Sequence, residues 1–422
     1  MHLCLFEDDQ VGRLAPLTLT RAVYDLRIGM RTLAERIADA FPTTQVILHA
    51  RKAVASVTGH EHDRLINRIP GAMDVLFVNG RWFAEAGDVL ERIRIATTSR
   101  DATMFVQDDV CIAAWIPSAR TELIDAEALT AASFPGVRVE VVEGARLVSR
   151  LWHPITLLED ALRSDFAQRA PRYNIFERPG ADIQDGAILS HAERVFVAPG
   201  AVVRPGAILN AEDGPVYVDR DAIVMENAVV RGPAYIGPHA QVKIGCAIEA
   251  AAIGPWCKVG GEVHHAIMHS YSAKAHAGFL GHAYLGRWCN IGADTNNSNL
   301  KNDYGSVSMY DAVTGNFEDT GLQFLGLIMG DHSKCGINTM FNTGTVVGVF
   351  CNVYGSGFPP RFIPSFAWGS PEGFVEYRLE KALRVAEAVM ARRNVTLTEA
   401  DRDLLAHVFE QTAAERAAFG TA

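Results

Sequence analysis

The sequence predicts an α/β domain followed by a parallel β-helix with C-terminal helices, and three observations predict it. Between Val218 and Ile248 an aliphatic residue returns at every sixth position: Val218, Val224, Val230, Ile236, Val242 and Ile248. Four residues after each of the first five stands a small one: Ala222, Ala228, Ala234, Ala240 and Cys246. Upstream of residue 150, short apolar runs alternate with stretches of helical spacing.

The six-residue return is the hexapeptide repeat of a β-helix, in which three hexads make one triangular coil. The aliphatic residue fills the prism interior, the small residue fits the crowded corner, and Gly, Asn or Asp absorbs the turn. The step shortens by one residue at Ile253 and Val259 restores it. Val197 and Val203 extend the tract upstream, before an interruption at 210–215. Leu285 and Ile291 extend it downstream, and it resumes at Met329, Cys335, Phe341, Val347 and Val353. A helix would need a 3.6-residue face, and a β-sandwich would show plain alternation.

In the first domain, Leu3–Phe6 is a short strand. Thr18 to Phe41 reads as a helix, with Leu26, Met30, Leu33 and Ile37 on one face and Pro42 as its stop. Further strands are predicted at Gln45–His49, Val75–Val78, Met104–Val106 with Ile112–Trp115, and Val137–Val142, which suggests a doubly wound sheet. Residues 155–169 read as a linker helix. The predicted boundaries are 1–154 for the α/β domain, 155–179 for the linker, 180–355 for the β-helix and 356–422 for the helical extension. Within that extension, Thr398 with Asp401 three residues on is a relative of the capping box.

The net charge of −10 argues against nucleic acid or an anionic membrane as a general partner. No segment has the ~18–20 apolar residues of a membrane span, and Glu7, Asp8 and Asp9 replace the basic region of a signal peptide. Seven cysteines form no paired spacing, and Cys246, Cys257, Cys289 and Cys351 take the small corner position. Reduced thiols and a cytoplasmic location are expected, with no disulfide frame and no metal site.

Residues 272–299, SAKAHAGFLGHAYLGRWCNIGADTNNSN, resemble the active-site coil of the bifunctional N-acetylglucosamine-1-phosphate uridyltransferase/glucosamine-1-phosphate acetyltransferase family. The resemblance implies a left-handed β-helix that trimerises. It places the family's catalytic histidine on His276 and its two pocket asparagines on Asn290 and Asn299. The family's pocket tyrosine falls on Phe279, which lacks the hydroxyl, and a family lysine falls on His264. Lys274 stands within the same run. The segment Gly12-Arg13-Leu14 with Pro16-Leu17-Thr18 is similar to the sugar nucleotidyltransferase signature, although Phe6 to Val11 replaces its glycine loop. That likeness implies a nucleotidyltransferase-like fold with a nucleotide near Gly12, Arg13 and Arg21, and it sets Asn79 where a metal-binding aspartate belongs. The combination resembles a divergent uridyltransferase-like branch of sugar nucleotidyltransferases.

The resemblance implies acetyl-CoA-dependent N-acetylation of an amino-sugar phosphate, of the kind used in UDP-N-acetylglucosamine synthesis. Nucleotidyl transfer from an NTP with Mg2+ would accompany it if the first domain is active. His276 is the expected base because imidazole titrates near neutral pH. Asn299 would act beside it, and Asn290, Phe279, His264 and Lys274 would contact the sugar. Backbone N–H groups at Gly292 and Ala293 would meet the thioester oxygen. Lys334 could meet a phosphate of coenzyme A or belong to a solvated prism face. Arg13 and Arg21 could clamp phosphates or pair with Asp8, Asp9 or Asp25. His264, His265, His269, His276 and His282 cluster as structural or substrate-contacting groups rather than as a zinc site. The stretch from Asn299 to Phe324 interrupts the hexads as an ordered loop that reaches a neighbouring subunit or covers the pocket. Three other readings remain open: a nucleotidyltransferase that uses the prism only as a trimerisation scaffold, a non-catalytic sugar-nucleotide-binding protein, and a prism of the carbonic anhydrase kind with three zinc histidines.

Overall fold

The computed structural model describes residues 1–42, 45–69, 73–119, 126–170 and 180–420. It comprises an N-terminal α/β domain, a parallel β-solenoid and a set of C-terminal helices. The N-terminal sheet has six strands, ordered Gln45–Leu48, His2–Phe6, Met73–Asn79, Val110–Ala119, Thr103–Gln107 and Arg138–Val141. The first three run parallel, and Val110–Ala119 is antiparallel to both of its neighbours.

The helix expected from Thr18 to Phe41 is shorter. Helix α1 spans Leu33–Ala40 and starts at a capping box between Thr32 and Glu35. Before it, Val23–Asp25 is a 3-10 turn, and Arg27–Ile28 pairs with Arg31–Thr32 in a small hairpin. Gly29 turns that hairpin at φ +75°, and a Cβ there would lie 2.8 Å from the Ala161 Cβ. Only glycine permits both the left-handed backbone and the close approach. Leu26, Met30, Leu33 and Ile37 are all buried, but they are covered from several sides rather than along one helix face.

Helices α2 (Lys52–His62) and α3 (Asp88–Ala96) complete the α/β layer. The predicted linker helix is two pieces, α4 (His153–Thr156) and α5 (Leu158–Arg169). It is part of the N-terminal core: Ala161, Leu162 and Asp165 are fully buried. Asp165 accepts hydrogen bonds from Met30 N at 2.9 Å, Arg31 Nε at 2.8 Å and Arg36 Nη2 at 2.6 Å. Residues 171–179 of the predicted linker lie outside the described residues.

The solenoid has three faces of parallel strands. One runs from Ile188–Ser190 to Phe279–Gly281, one from Val195–Val197 to Phe362–Ile363, and one from Asp182–Ile183 to Ala273–Lys274. The third continues through Asn290, which bridges Ala273 and Lys334, to Asn352–Val353 and Ala367–Ser370. The hexad aliphatics Val218, Val224, Val230, Ile236 and Val242 are fully buried, as are Cys246 and Cys257. All seven cysteines are free and buried. Burial pushes the Cys246 and Cys257 thiols up to about 12, so they serve as small apolar corner residues rather than nucleophiles.

Two faces meet at edges where single residues adopt the left-handed conformation. Along the edge between the second and third faces these are His239, Trp256, Tyr271, Trp288, His332, Phe350 and Phe366. Their rings stack coil upon coil, with centroids 4.2 Å apart for His239–Trp256 and Tyr271–Trp288 and 4.5 Å for His332–Phe350. Stacking of these rings, with burial of Trp288, His332, Phe350 and Phe366, offsets the strain of positive φ in bulky residues.

The second face is apolar on its outside as well. Tyr235, Ala252, Ile267, Tyr284, Ile328 and Val346 stand in register there and are at most 3% exposed. They share one continuous core with the N-terminal domain and with α6 (Leu379–Ala391) and α7 (Glu399–Gln411). The Thr398–Asp401 capping box forms at the start of α7, and a third helix, α8 (Ala413–Phe419), follows. Among the described residues, no helix is long and apolar enough to cross a membrane.

Candidate functional site

Two sites are separated along the chain. In the N-terminal domain, a cleft of about 490 Å³ opens beyond the C-terminal ends of the strands His2–Phe6 and Met73–Asn79. Open parallel sheets bind ligands at that position. The cleft is lined by Asp8, Asp9, Arg13, Arg81, Asp108 and Arg150, among others.

The residues expected to hold a nucleotide are largely engaged with the protein. Arg13 Nη1 donates to Asp311 at 2.9 Å. Arg21 is buried and pairs with Asp331, so it faces the β-helix rather than the cleft. Gly12 packs under Val313. Asn79 donates through Nδ2 to Asp8 at 2.8 Å and to the Cys111 carbonyl at 3.0 Å, and its Oδ1 accepts from Arg81 N at 2.9 Å.

Asp8 is closed in the same network. Its oxygens accept from Arg81 Nε at 2.8 Å and from Arg81 Nη2 at 2.5 Å. A Mg2+ ion prefers one or two free carboxylates with open oxygen sites. Asp8 and Asn79 do not fit that role, because guanidinium and amide donors already fill their oxygens. Among the described residues, no three His, Cys, Asp or Glu side chains are grouped to hold a metal. The other acid of the run, Glu7, lies under the sheet. It accepts from Val23 N at 2.8 Å and Arg51 N at 3.0 Å and pairs with the Arg51 guanidinium at 2.5 Å. Burial raises its carboxyl pKa despite Arg51.

The second site lies on the prism. His276 sits on the loop joining Ala273–Lys274, on the third face, to Phe279–Gly281, on the first. It is exposed, and its imidazole makes no hydrogen bond with a described residue. Lys274 occupies the interior position in register with Val259 and is 1% exposed. Its ammonium donates to the carbonyls of Gly260 and His276, each at 3.0 Å, and of Ala277 at 3.4 Å. Burial lowers its pKa. Lys274 therefore pins the loop that carries His276 and does not reach a sugar.

On the first face, Phe279, His264 and Asn299 come together. The rings of His264 and Phe279 are 5.8 Å apart. Asn299 Nδ2 donates to His282 Nδ1 at 2.9 Å. His282 stacks on His265 at 4.6 Å and on Phe324 at 5.3 Å. Burial, then the nearby His265 and His264, lowers the His282 imidazole to about 4. It is neutral at pH 7, with its second nitrogen as a donor.

Below Phe279 the strand ladder is replaced by side chains. Asn296 Oδ1 accepts from Phe279 N at 2.8 Å, and Asn297 Oδ1 accepts from Gly281 N at 2.9 Å. Asn297 Nδ2 returns a bond to the Gly281 carbonyl at 2.8 Å. Asn296 and Asn297 were not singled out from sequence, and His282 was read only as one member of the histidine cluster. The Asn296-Asn297-Ser298-Asn299 run was the available signal.

Asn290 lies on the other side of the edge, on the third face, where it and Lys334 line a separate pocket. Gly292 packs against Gly336, where a Cβ would sit 2.2 Å from the Gly336 carbonyl oxygen. The Ala293 carbonyl accepts from Asn338 N at 2.8 Å. Within one chain, then, the residues split between two faces with His276 on the edge between them. His265 and His269 do not form a helical zinc pair: His265 bonds Glu159 at 3.0 Å, and His269 is buried against the Asp25 carbonyl at 2.8 Å.

The excursion from Asn299 to Phe324 is ordered and contains a hairpin of Ser308–Asp311 with Asn316–Asp319. It docks on the N-terminal domain of its own chain. Asp311 takes Arg13, and Glu318 takes Arg150 at 3.0 Å.

Comparison with known proteins gives one family match: residues 3–172 match the sugar nucleotidyl transferase family. No curated protein matches the chain in sequence. Among solved structures, a UDP-N-acetylglucosamine acyltransferase from Francisella novicida is similar at 14% identity. That match covers 52% of this chain and 73% of that one, with a TM-score of 0.24. The enzyme of that name from Campylobacter jejuni is similar at 11% identity over 55% of this chain and 95% of that one, with a TM-score of 0.22. Likenesses of that size leave the functional reading to the family match and the residues. Residues 3–172 are thus similar to sugar nucleotidyl transferases, a class of sugar-directed transferase.

Proposed function

We propose that the chain is a sugar-phosphate transferase whose prism N-acetylates an amino-sugar phosphate from acetyl-CoA. The observation that carries this is His276, an exposed imidazole on an edge loop whose carbonyls are held by buried Lys274. A base placed this way takes a proton from the sugar ammonium. The freed amine forms its bond to the thioester carbonyl carbon. The carbon–sulfur bond then breaks, and coenzyme A leaves as a thiolate that takes the second proton, the one the acylated nitrogen sheds as it becomes the amide.

Asn299, with its amide oriented by His282, positions the sugar beside Phe279 and His264. Asn290 and Lys334 approach the reacting groups from the third face, and Gly292 and Ala293 border the loop. The split of these residues across one edge supports a site completed by a neighbouring chain. Ile244 and Ile337, each 68% exposed, lie on turns from the third face to the first, as His276 does, and their cover by a neighbouring chain would fit a trimer.

The N-terminal domain in this reading binds a nucleotide or nucleotide sugar in the cleft at Asp9, Arg13 and Arg150. The closed Asp8–Arg81–Asn79 network favours binding over metal-dependent nucleotidyl transfer there. The test is a screen of hexosamine 1-phosphates with acetyl-CoA, read as thiol release, with pyrophosphate release from NTP and Mg2+ measured in parallel. Thiol release with an amino-sugar phosphate is the expected result. Its absence across the panel would overturn the acyl reading. Pyrophosphate release alone would leave a nucleotidyltransferase with a scaffolding prism.

A further inference from the structure

Between the third face of the prism and α6 lies a pocket of about 430 Å³ whose ionisable lining is almost wholly cationic. Lys258 and Lys334 stand on the same face three coils apart, in register through Ala273 and Asn290, and Arg392 and Arg393 follow the end of α6. No Asp or Glu lines it. None of the four cations is in an ion pair with a described residue. This is unusual in a chain with 49 acidic and 39 basic residues. Arg21, Arg31, Arg36 and Arg81 are all buried, and each faces a carboxylate.

Lys334 Nζ spends one hydrogen on the His332 carbonyl at 2.8 Å. An ammonium has three donors, so two remain for a ligand. Asn290 is exposed in the same pocket and adds a neutral donor and acceptor. The floor is apolar, formed by Tyr271, Trp288 and Cys289. Burial lowers Lys334 to about 8, and no carboxylate opposes the effect. Lys258 is lowered by burial and then by Arg393, Lys243 and Arg392, all of them cations. Lys258, Arg392 and Arg393 repel one another across the pocket mouth, and an anion between them and the buried Lys334 would relieve that repulsion.

We propose that this pocket binds a small molecule bearing two or more phosphate charges, held by Lys258, Lys334, Arg392 and Arg393. A carboxylate brings one charge on two oxygens, too little to neutralise four cations. A phosphoanion offers enough oxygens for two guanidinium forks and two ammonium groups. The site does not depend on what His276 does. Its occupant could be the phosphates of the acyl donor or a separate nucleotide, and both share this chemistry.

The experiment titrates the full-length protein calorimetrically with inorganic pyrophosphate and, separately, with adenosine 3′,5′-bisphosphate at low ionic strength. The Lys258→Ala/Arg393→Ala double variant removes one partly exposed cation from each wall and leaves the prism core intact. Lys334→Met keeps the buried stem and removes the charge. Arg220→Ala, an exposed cation elsewhere on the prism, is the control. Binding of either probe should weaken about tenfold or more in the double variant and in Lys334→Met, with Arg220→Ala unchanged. Tighter binding of the bisphosphate would identify the acyl donor's phosphates, and tighter binding of pyrophosphate a separate phosphoanion. Failure of both probes to bind the wild type would overturn the proposal. So would equal binding by wild type and double variant. Phosphoanion binding without acetyl transfer would leave this site standing while the acyl reading fell.

Discussion

Arg21 of the N-terminal domain and Asp331 of the β-helix form an ion pair buried at the junction of the two, with side chains 1% and 6% exposed. Thr20 Oγ1 donates to the same carboxylate at 2.8 Å, and Arg287 N donates to its other oxygen, also at 2.8 Å. Arg287 in turn pairs with Glu61 on α2. Burial alone would raise the Asp331 carboxyl, but the Arg21 and Arg287 charges outweigh it and hold the pKa below the ordinary range. Removing one member of a buried pair strands the other charge. Asp331→Ala is therefore expected to cost about 3–5 kcal/mol, read by denaturant unfolding. A loss under ~1 kcal/mol, the range of a surface pair, would show that water already reaches the junction.

The pH dependence of stability has a defined sign. Burial holds the His282 imidazole near 4, and burial with the Lys334 charge holds His332 near 3. Both lie below the unfolded value of 6.5, so the unfolded chain binds more protons between these limits. The stability these neutral rings contribute is full above pH 6.5 and is lost as pH falls toward 4 for His282 and 3 for His332. Thermal melts between pH 7 and 4.5 should show a falling midpoint, with a smaller fall in His282→Asn. An identical slope in that variant would remove His282 from the account.

His276→Ala should lower acetyl transfer by roughly 10²–10⁴, the usual span for a general base. The melting temperature should not change, because the exposed side chain bonds no described residue of the fold. Undiminished transfer would move the base elsewhere on the edge.

Asn79→Asp tests the closed carboxylate network. The wild-type amide donates to Asp8, and an aspartate there would set two carboxylates together. The expected cost is about 1–3 kcal/mol for the lost buried donor, measured at neutral pH. Stabilisation of the variant by millimolar Mg2+ to wild-type levels would indicate that the cleft can still assemble a metal site.

Deleting 303–320 removes the hairpin that meets the N-terminal domain. Loop deletions ordinarily spare core stability, but this one takes Asp311 and Glu318 away from Arg13 and Arg150. A lower melting temperature is expected along with altered nucleotide binding. Unchanged values for both would show that the docking is energetically idle.

The solenoid was legible because its repeat is local: each hexad states its own interior residue, and Val218 to Val259 fall inside as spaced. The region from Thr18 to Thr32 was not, because its apolar residues are buried against partners distant in sequence. A 3.6-residue spacing there coincides with burial on several sides. The loop position of His276 followed from its motif. The side-chain ladder of Asn296 and Asn297 and the Asn299–His282 bond did not, since they depend on how two coils stack. That Arg21 faces the β-helix rather than the cleft was not legible either, because nothing in the sequence announces Asp331, 310 residues away, as its partner.

The outward side of the second face bears on how this protein can be taken apart. Tyr235, Ile267, Tyr284 and Ile328 are covered because the N-terminal domain and the last helices lie over them. A prism expressed alone would bare that wall to water, and the N-terminal domain alone would bare its counterpart. The two halves are thus bound to a common fate in any truncation. Genetic exchange could not swap in another nucleotide-binding module without rebuilding the wall it rests on.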